Sequence, residues 1–122
     1  MFDHVGFGAS DLAESKTFFL HALAPLGIGL VMEGPYGVSI GKSGKPSLWL
    51  HATTSKPMPM HLAFTAQTRA EVDAFYKAAL AAGGKDNGPP GLRPQYHPSY
   101  YGAFVMGPDG HNVEAVCHKA DA

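Results

Sequence analysis

The sequence predicts an α+β fold of two β-α-β-β-β modules in tandem, which form an open, cupped mixed sheet around a cavity. The first observation is a repeat, because shifting the chain by 57 positions brings His4 onto His61. The second is that each copy opens with an alternating apolar strand and continues into an amphipathic helix. The third is a run of short strands, separated by turn residues, after the first helix.

The first module is predicted over about residues 1–53. In its opening strand, 2–8, alternation turns Val5 and Phe7 to one side and His4 to the other. The apolar side is expected to pack on the helix, which leaves the imidazole on a cavity wall. Three short strands follow the helix, at about 28–33, 36–41 and 47–51.

Each predicted helix begins at a polar residue that can accept a backbone hydrogen bond. Asp11 is followed by Glu14 three residues later, which is the outline of a capping box. Thr68 and Glu71 repeat the pattern in the second copy with the preferred hydroxyl residue. Gly27 lies where the first helix should end.

A polar segment, 54–58, joins the modules, and the second module is predicted over about 59–122. Neither half is long enough to bury a core of its own, so residues 1–122 are expected to form a single domain. After the second helix the repeat breaks down. A long Pro/Gly-rich loop, 87–99, precedes a hairpin whose turn is 107–110.

The composition excludes several classes of partner. The net charge is −1 and no cluster of Lys and Arg is present, so neither a nucleic acid nor an anionic membrane surface is expected to bind. No apolar run is long enough to span a membrane. The single cysteine, Cys117, cannot form an internal disulfide. No signal peptide precedes the first strand, and a cytoplasmic protein acting on a small molecule is expected.

Three residues are candidates for a metal site. His4 and His61 share the side opposite the helices, and alternation in the last strand turns Glu114 the same way. Two imidazoles and a carboxylate leave half of an octahedral shell open, as in catalytic sites for divalent Fe, Mn, Co, Ni or Zn. The alternative is that these are two half-buried histidines and a strand glutamate that bind no metal.

Three stretches, 3–5, 60–64 and 108–114, resemble the vicinal oxygen chelate superfamily, which has the glyoxalase, bleomycin resistance and extradiol dioxygenase fold. The resemblance covers nearly the whole chain. It implies a homodimer and a divalent metal that binds two neighbouring oxygens of a substrate, in isomerisation, epimerisation, epoxide opening or O₂ insertion. The site is built within one chain or across two. Some members of the superfamily bind no metal and only sequester a drug.

One position departs from part of that superfamily. Enzymes similar to glyoxalase I carry a fourth ligand, Glu or Gln, where this chain has Trp49. The departure weakens a glyoxalase I or epimerase assignment and leaves the two-His, one-Glu set of extradiol dioxygenases and fosfomycin-resistance enzymes. Trp49 is interpreted as a substrate-binding wall or as a packed interface aromatic. His51 and His118 could substitute as ligands or simply be solvated.

The loop before the hairpin supplies the remaining candidates. Extradiol dioxygenases have a histidine in a similar loop near the substrate, so His97 is a candidate acid/base group and Tyr101 a hydrogen-bond donor. Arg93 could bind a substrate carboxylate or phosphate, or lie in solvent, and Tyr96 could line the substrate cavity. Alternatively, this aromatic run packs over the cavity as a lid.

The function that these patterns favour is a small metal-dependent enzyme, either dioxygenase-like or lyase/isomerase-like. The alternative is a metal-free binding protein of the bleomycin-resistance type, which would hold a small molecule or a drug in an aromatic cavity.

Overall fold

The computed structural model describes residues 1–120 and consists of two helices and nine strands in that part of the chain. The elements follow in the order β1 (Val5–Ala9), α1 (Leu12–Leu23), β2 (Ile28–Gly34), β3 (Gly37–Lys42), β4 (Lys45–Ala52), β5 (His61–Thr65), α2 (Arg69–Ala81), β6 (Lys85–Asp86), β7 (Gly91–Leu92), β8 (Tyr101–Met106) and β9 (Asn112–Cys117). Single 3₁₀ turns lie at Ala24–Leu26 and Pro108–Gly110.

Both helices begin where the capping residues predict. The Asp11 carboxylate accepts a hydrogen bond from the amide of Glu14 at 3.1 Å, and the Thr68 hydroxyl accepts one from the amide of Glu71 at 3.1 Å. These bonds satisfy amides that the first turn of a helix leaves unpaired. After α1 and its 3₁₀ turn the chain reverses at Gly27, whose φ of 78° is in the left-handed region that favours glycine.

The strands are divided between two sheets, one in each module. The first sheet has the order β1-β4-β3-β2, and the second has the order β5-β9-β8-β6, with β7 also paired to β8. The parallel pairs β1/β4 and β5/β9 occupy equivalent places in the two sheets. The predicted α+β fold of two repeated modules is therefore confirmed. Within residues 1–120, β1 and β5 are edge strands that each pair with only one neighbour.

One hydrophobic core spans both modules. The helices pack against each other and against the inner faces of the sheets, so buried residues from each half form a single cluster. Its largest fully buried aromatic side chains are Phe18, Phe19 and Phe75. The opposite face of each sheet is turned away from the helices, and Trp49, His61 and Glu114 lie on these outer faces.

The start of the first strand differs from its prediction. Strand 2–8 was expected, but β1 begins at Val5 and leaves His4 just ahead of it. Lys45 Nζ binds the backbone carbonyl of Asp3 at 2.9 Å, so this end of the chain is held by a side chain rather than by the sheet. The predicted end of the second module, residues 121–122, lies outside the described residues. In the described part of the chain, no helix is long and apolar enough to cross a membrane.

Candidate functional site

The outer face of the second sheet brings His61 and Glu114 together. They lie on the neighbouring parallel strands β5 and β9, and His61 Nε2 is 2.7 Å from Glu114 Oε1. The Glu114 side chain is only 1% exposed, whereas that of His61 is 56% exposed. A buried carboxylate is costly unless it is hydrogen-bonded or neutralised, so its surroundings define the site.

Tyr100 satisfies the second oxygen of this carboxylate. Its hydroxyl donates to Glu114 Oε2, and burial, together with that carboxylate, raises the pKa of Tyr100. The phenol therefore remains a hydrogen-bond donor at neutral pH. Gly102 makes room for the contact, because a Cβ there would lie 3.1 Å from the Tyr100 ring and 3.3 Å from Glu114 Oε2.

His4 lies just ahead of β1, the first strand of the other sheet, rather than beside this pair. Its Nδ1 is 2.8 Å from the Asp3 carboxylate, and its side chain is 57% exposed. The hydrogen bond to His4, followed by the contacts of Lys45, lowers the pKa of Asp3. Among residues 1–120, no three His, Cys, Asp or Glu side chains are grouped as a metal site within one chain. The structure thus brings together two of the three predicted ligands.

His97 is held at the end of the loop by another histidine. The amide of Ser99 donates to His97 Nδ1 at 3.1 Å, so the neutral ring carries its proton on Nε2. That nitrogen is 2.9 Å from His118 Nδ1, which accepts the hydrogen bond. The Tyr100 ring lies 5.5 Å from the His97 ring, so the loop histidine reaches Glu114 only through Tyr100.

Tyr101 points to the other side of the second sheet. Its hydroxyl donates to Asp73 of α2 at 2.7 Å, and this hydrogen bond, followed by burial, raises the pKa of Tyr101. The guanidinium of Arg69 lies 5.2 Å from its ring centre. The role expected of Tyr101, a hydrogen-bond donor at the site, is therefore taken in this geometry by Tyr100. The strand alternation could have indicated this, because Tyr101 shares its side with the buried Ala103.

Arg93 and Tyr96 line a cavity of about 290 Å³ next to the His61–Glu114 pair. Its floor is Phe104, which pairs with Glu114 in the sheet and whose ring is 6.2 Å from that of His61. Both predicted substrate-binding residues of the loop are thus adjacent to the candidate site.

Trp49 lies on the first sheet, away from this cavity. It pairs with Gly6 and Ser39 and lines a separate cavity of about 150 Å³ together with Met32 and Tyr36. Trp49 therefore forms part of a cavity wall, but in a single chain this wall and the His61–Glu114 pair belong to different sheets. His51, two residues along β4, is exposed.

His111 has a structural role that its position in a turn did not indicate. It is 1% exposed, its Nδ1 accepts the amide of Met60 at 2.9 Å, and its ring is 5.0 Å from that of Phe7. Burial lowers the pKa of His111, so the imidazole stays neutral at neutral pH. It joins the start of β5 to the first module and thereby helps to orient His61.

The family model of the Glyoxalase/Bleomycin resistance protein/Dioxygenase superfamily matches residues 1–115. The chain therefore belongs to that superfamily, as the resemblance of its motifs predicted. Among curated proteins, none matches the chain.

Solved structures show the same fold. A glyoxalase/bleomycin resistance protein from Albidiferax ferrireducens T118 is 30% identical, with a TM-score of 0.82 and coverage of 98% of this chain and 99% of that one. A glyoxalase-related enzyme from Fulvimarina pelagi is 24% identical, with a TM-score of 0.71 over 96% and 87% of the two chains. The oxidase ChaP-H2 is 20% identical, with a TM-score of 0.70 over 98% and 94%. The last two establish similarity of fold only.

Proposed function

We propose that the protein is a metal-dependent enzyme of the vicinal oxygen chelate type that works as a homodimer. In this proposal His61 and Glu114 of one chain hold a divalent ion together with His4 of a second copy. The observation that carries the proposal is the 2.7 Å approach of His61 Nε2 to Glu114 Oε1. The substrate would enter through the cavity beside this pair.

The chemistry of the donors fits such an ion. Metal–ligand bonds of about 2.1 Å at a right angle put two donor atoms about 3 Å apart, close to the separation of the His61–Glu114 pair. His4 has the arrangement common in ligating histidines, in which one ring nitrogen is held by a carboxylate and the other is left to the metal. Asp3 provides that carboxylate, and His4 Nε2 has no hydrogen-bond partner among residues 1–120.

The two sheet edges explain why a second copy would supply His4. His4 precedes the edge strand β1, and His61 is the first residue of the edge strand β5. With β1 of a second copy laid parallel to β5, the two histidines would lie at the same end of the two strands in this joint. In a twofold dimer the same joint forms twice, so neither edge is left open.

Apolar surface near the two edges supports this arrangement. A cavity of about 230 Å³ is lined by residues of both sheets, among them Val5, Leu48, Leu62 and Phe64. Covering such surface would contribute to association. The second copy would also bring the Trp49 wall of its first sheet towards the His61–Glu114 pair.

A divalent ion bound here would supply Lewis acidity to two neighbouring substrate oxygens. The chain's own residues would then orient and protonate the substrate. Tyr100 holds the Glu114 carboxylate and remains protonated. His97 would act as an acid/base group in the loop, where its ring contacts Tyr100 rather than Glu114. Either a dioxygenase-like or a lyase/isomerase-like reaction is compatible with this set.

One observation favours the second candidate, a metal-free binding protein. Both carboxylate oxygens of Glu114 already have protein hydrogen-bond partners, His61 and Tyr100. The buried carboxylate is therefore satisfied without an ion. In that case the aromatic cavity itself would bind and retain a small molecule.

Metal analysis separates the two candidates. We expect protein purified after growth with Fe, Mn, Co, Ni and Zn supplements to hold about one divalent ion per chain, and metal-free protein to take one up on titration. His61→Ala should lose this uptake. Thr65→Ala changes an exposed residue further along the same side of β5 and should keep it. A folded wild-type protein that takes up none of these ions would contradict the enzyme proposal and leave the binding protein.

A further inference from the structure

The cavity beside the His61–Glu114 pair has a single charged residue in its lining, and that charge is positive. It is lined by Asn87, Gly88, Arg93, Tyr96, Phe104 and Asn112. None of these is acidic, and Arg93 is the only one with a charge. At the end of β6, Asp86 Oδ1 accepts both the hydroxyl of Tyr76 at 3.0 Å and the amide of Gly88 at 2.9 Å, and in the described part of the chain no ion pair joins this carboxylate to Arg93.

The guanidinium of Arg93 lies against the backbone of two glycines, in a cradle where a side chain on either glycine would crowd it. A Cβ on Gly88, whose φ is 146°, would lie 3.3 Å from Arg93 Nη2, and one on Gly91 would lie 3.1 Å from Nη1. Nη2 donates to the carbonyl of Pro89 at 2.7 Å, and Cζ lies 5.4 Å from the centre of the Phe104 ring. The group is thus fixed against the ring and the loop backbone, so little rotamer freedom remains to be lost on binding.

The loop that carries the cradle is itself fastened. The amide of Arg93 donates to the carbonyl of Tyr100 at 2.8 Å, and the amide of Tyr96 donates to the carbonyl of Arg93 at 3.0 Å. Beyond these turns the His97–His118 hydrogen bond attaches the loop to the end of β9. The positive charge is therefore held at a defined place on the cavity wall.

This charge has no carboxylate partner in the part of the chain that the structure describes, where no ion pair includes Arg93. Of the five N–H donors of a guanidinium, one is used by Pro89. A planar carboxylate matches the remaining fork, and a single arginine supplies one positive charge rather than the two that a phosphate dianion would need. Phe104 and Tyr96 add flat apolar surface beside it.

We infer that Arg93, with Asn112 and Asn87 beside it, binds the carboxylate of an aromatic or conjugated small molecule. This names the substrate class of the proposed function and rests on it for the reacting end of that molecule, which would point towards His61 and Glu114. Binding of the carboxylate itself requires no metal and can be measured separately.

The test uses metal-free protein and the probes benzoate, benzamide and inorganic phosphate, with binding followed by calorimetry or NMR titration. We expect benzoate to bind at least about tenfold more tightly than the neutral benzamide and than inorganic phosphate. Arg93→Met should weaken benzoate binding by about tenfold or more, and Arg93→Lys by less. Lys77→Met, which removes an exposed charge from α2, should leave it unchanged.

Equal binding of benzoate to folded wild-type protein and to both Arg93 variants would overturn the inference. So would tighter binding of inorganic phosphate, or no binding of benzoate by the wild type. The outcome is distinct from that of the proposed function. Arg93-dependent benzoate binding in a protein that takes up no metal would support this subsite and contradict the metal enzyme. Metal uptake together with benzoate binding that does not depend on Arg93 would support the metal enzyme and contradict this subsite.

Discussion

Replacing Glu114 by alanine is expected to lower the affinity of the protein for divalent metal by at least about a hundredfold, more than the 10–100-fold carried by outer-shell partners. Glu114 is the only predicted ligand that is both charged and buried, so its loss removes the charge that favours a cation at this face. It also leaves the Tyr100 hydroxyl without its acceptor. Metal titration of the purified variant measures the effect.

Glu114→Gln separates the loss of charge from the loss of shape. The amide oxygen can still accept from Tyr100, so the fold should be retained while metal affinity falls nearly as far as in the alanine variant. Thermal unfolding of each variant controls for the fold. Wild-type metal affinity in a folded Glu114→Gln protein would rule out the carboxylate as a ligand.

Replacing Phe75 by alanine is expected to lower the free energy of unfolding by about 3–5 kcal/mol. Phe75 is fully buried on α2, in the cluster that includes residues of both modules. Because a domain of this kind has a total stability of about 5–15 kcal/mol, the change would remove a large share of it. Urea unfolding followed by circular dichroism measures the difference.

Lys77→Ala is the matched control for that measurement. The residue is exposed on the same helix two positions away, so its free energy of unfolding should stay within about 0.5 kcal/mol of the wild type. Since the core is continuous, both modules should unfold in one transition. Two separate transitions, with only one shifted by Phe75→Ala, would show that the modules are independent units.

Much of the fold was accessible from the sequence because it rests on short-range signals. The caps Asp11 and Thr68 locate the helix starts, and strand alternation correctly turns His61 and Glu114 to one face. The same alternation distinguishes Tyr100 from Tyr101. The resemblance of the loop to other proteins favoured Tyr101, but the parity of β8 gives the contact with Glu114 to Tyr100.

The rest depends on long-range arrangement, which periodicity does not encode. The repeat makes His4 and His61 equivalent within their modules, but it carries no information about how the two sheets are disposed. The position of Arg93 depends on the backbone of a Pro/Gly-rich loop, where Gly88 and Gly91 decide what fits against the guanidinium. Likewise, the burial of His111 follows from the packing of β5 against Phe7 rather than from its turn motif.

The central claim is a metal site shared between two copies of the chain. It is tested most directly by a mixed dimer of two variants that each lack one histidine ligand. The His4→Ala and His61→Ala proteins are each purified alone, and the two variants are also co-expressed with different tags so that the mixed dimer can be isolated. The bound metal is then measured in all three preparations. In the mixed dimer one joint carries both substitutions, while the other pairs an intact His4 with an intact His61 and Glu114. We predict no metal in either parent variant and about one ion per mixed dimer, half the wild-type content. No metal in a folded mixed dimer, from parents that each lack it, would contradict a site shared between two chains.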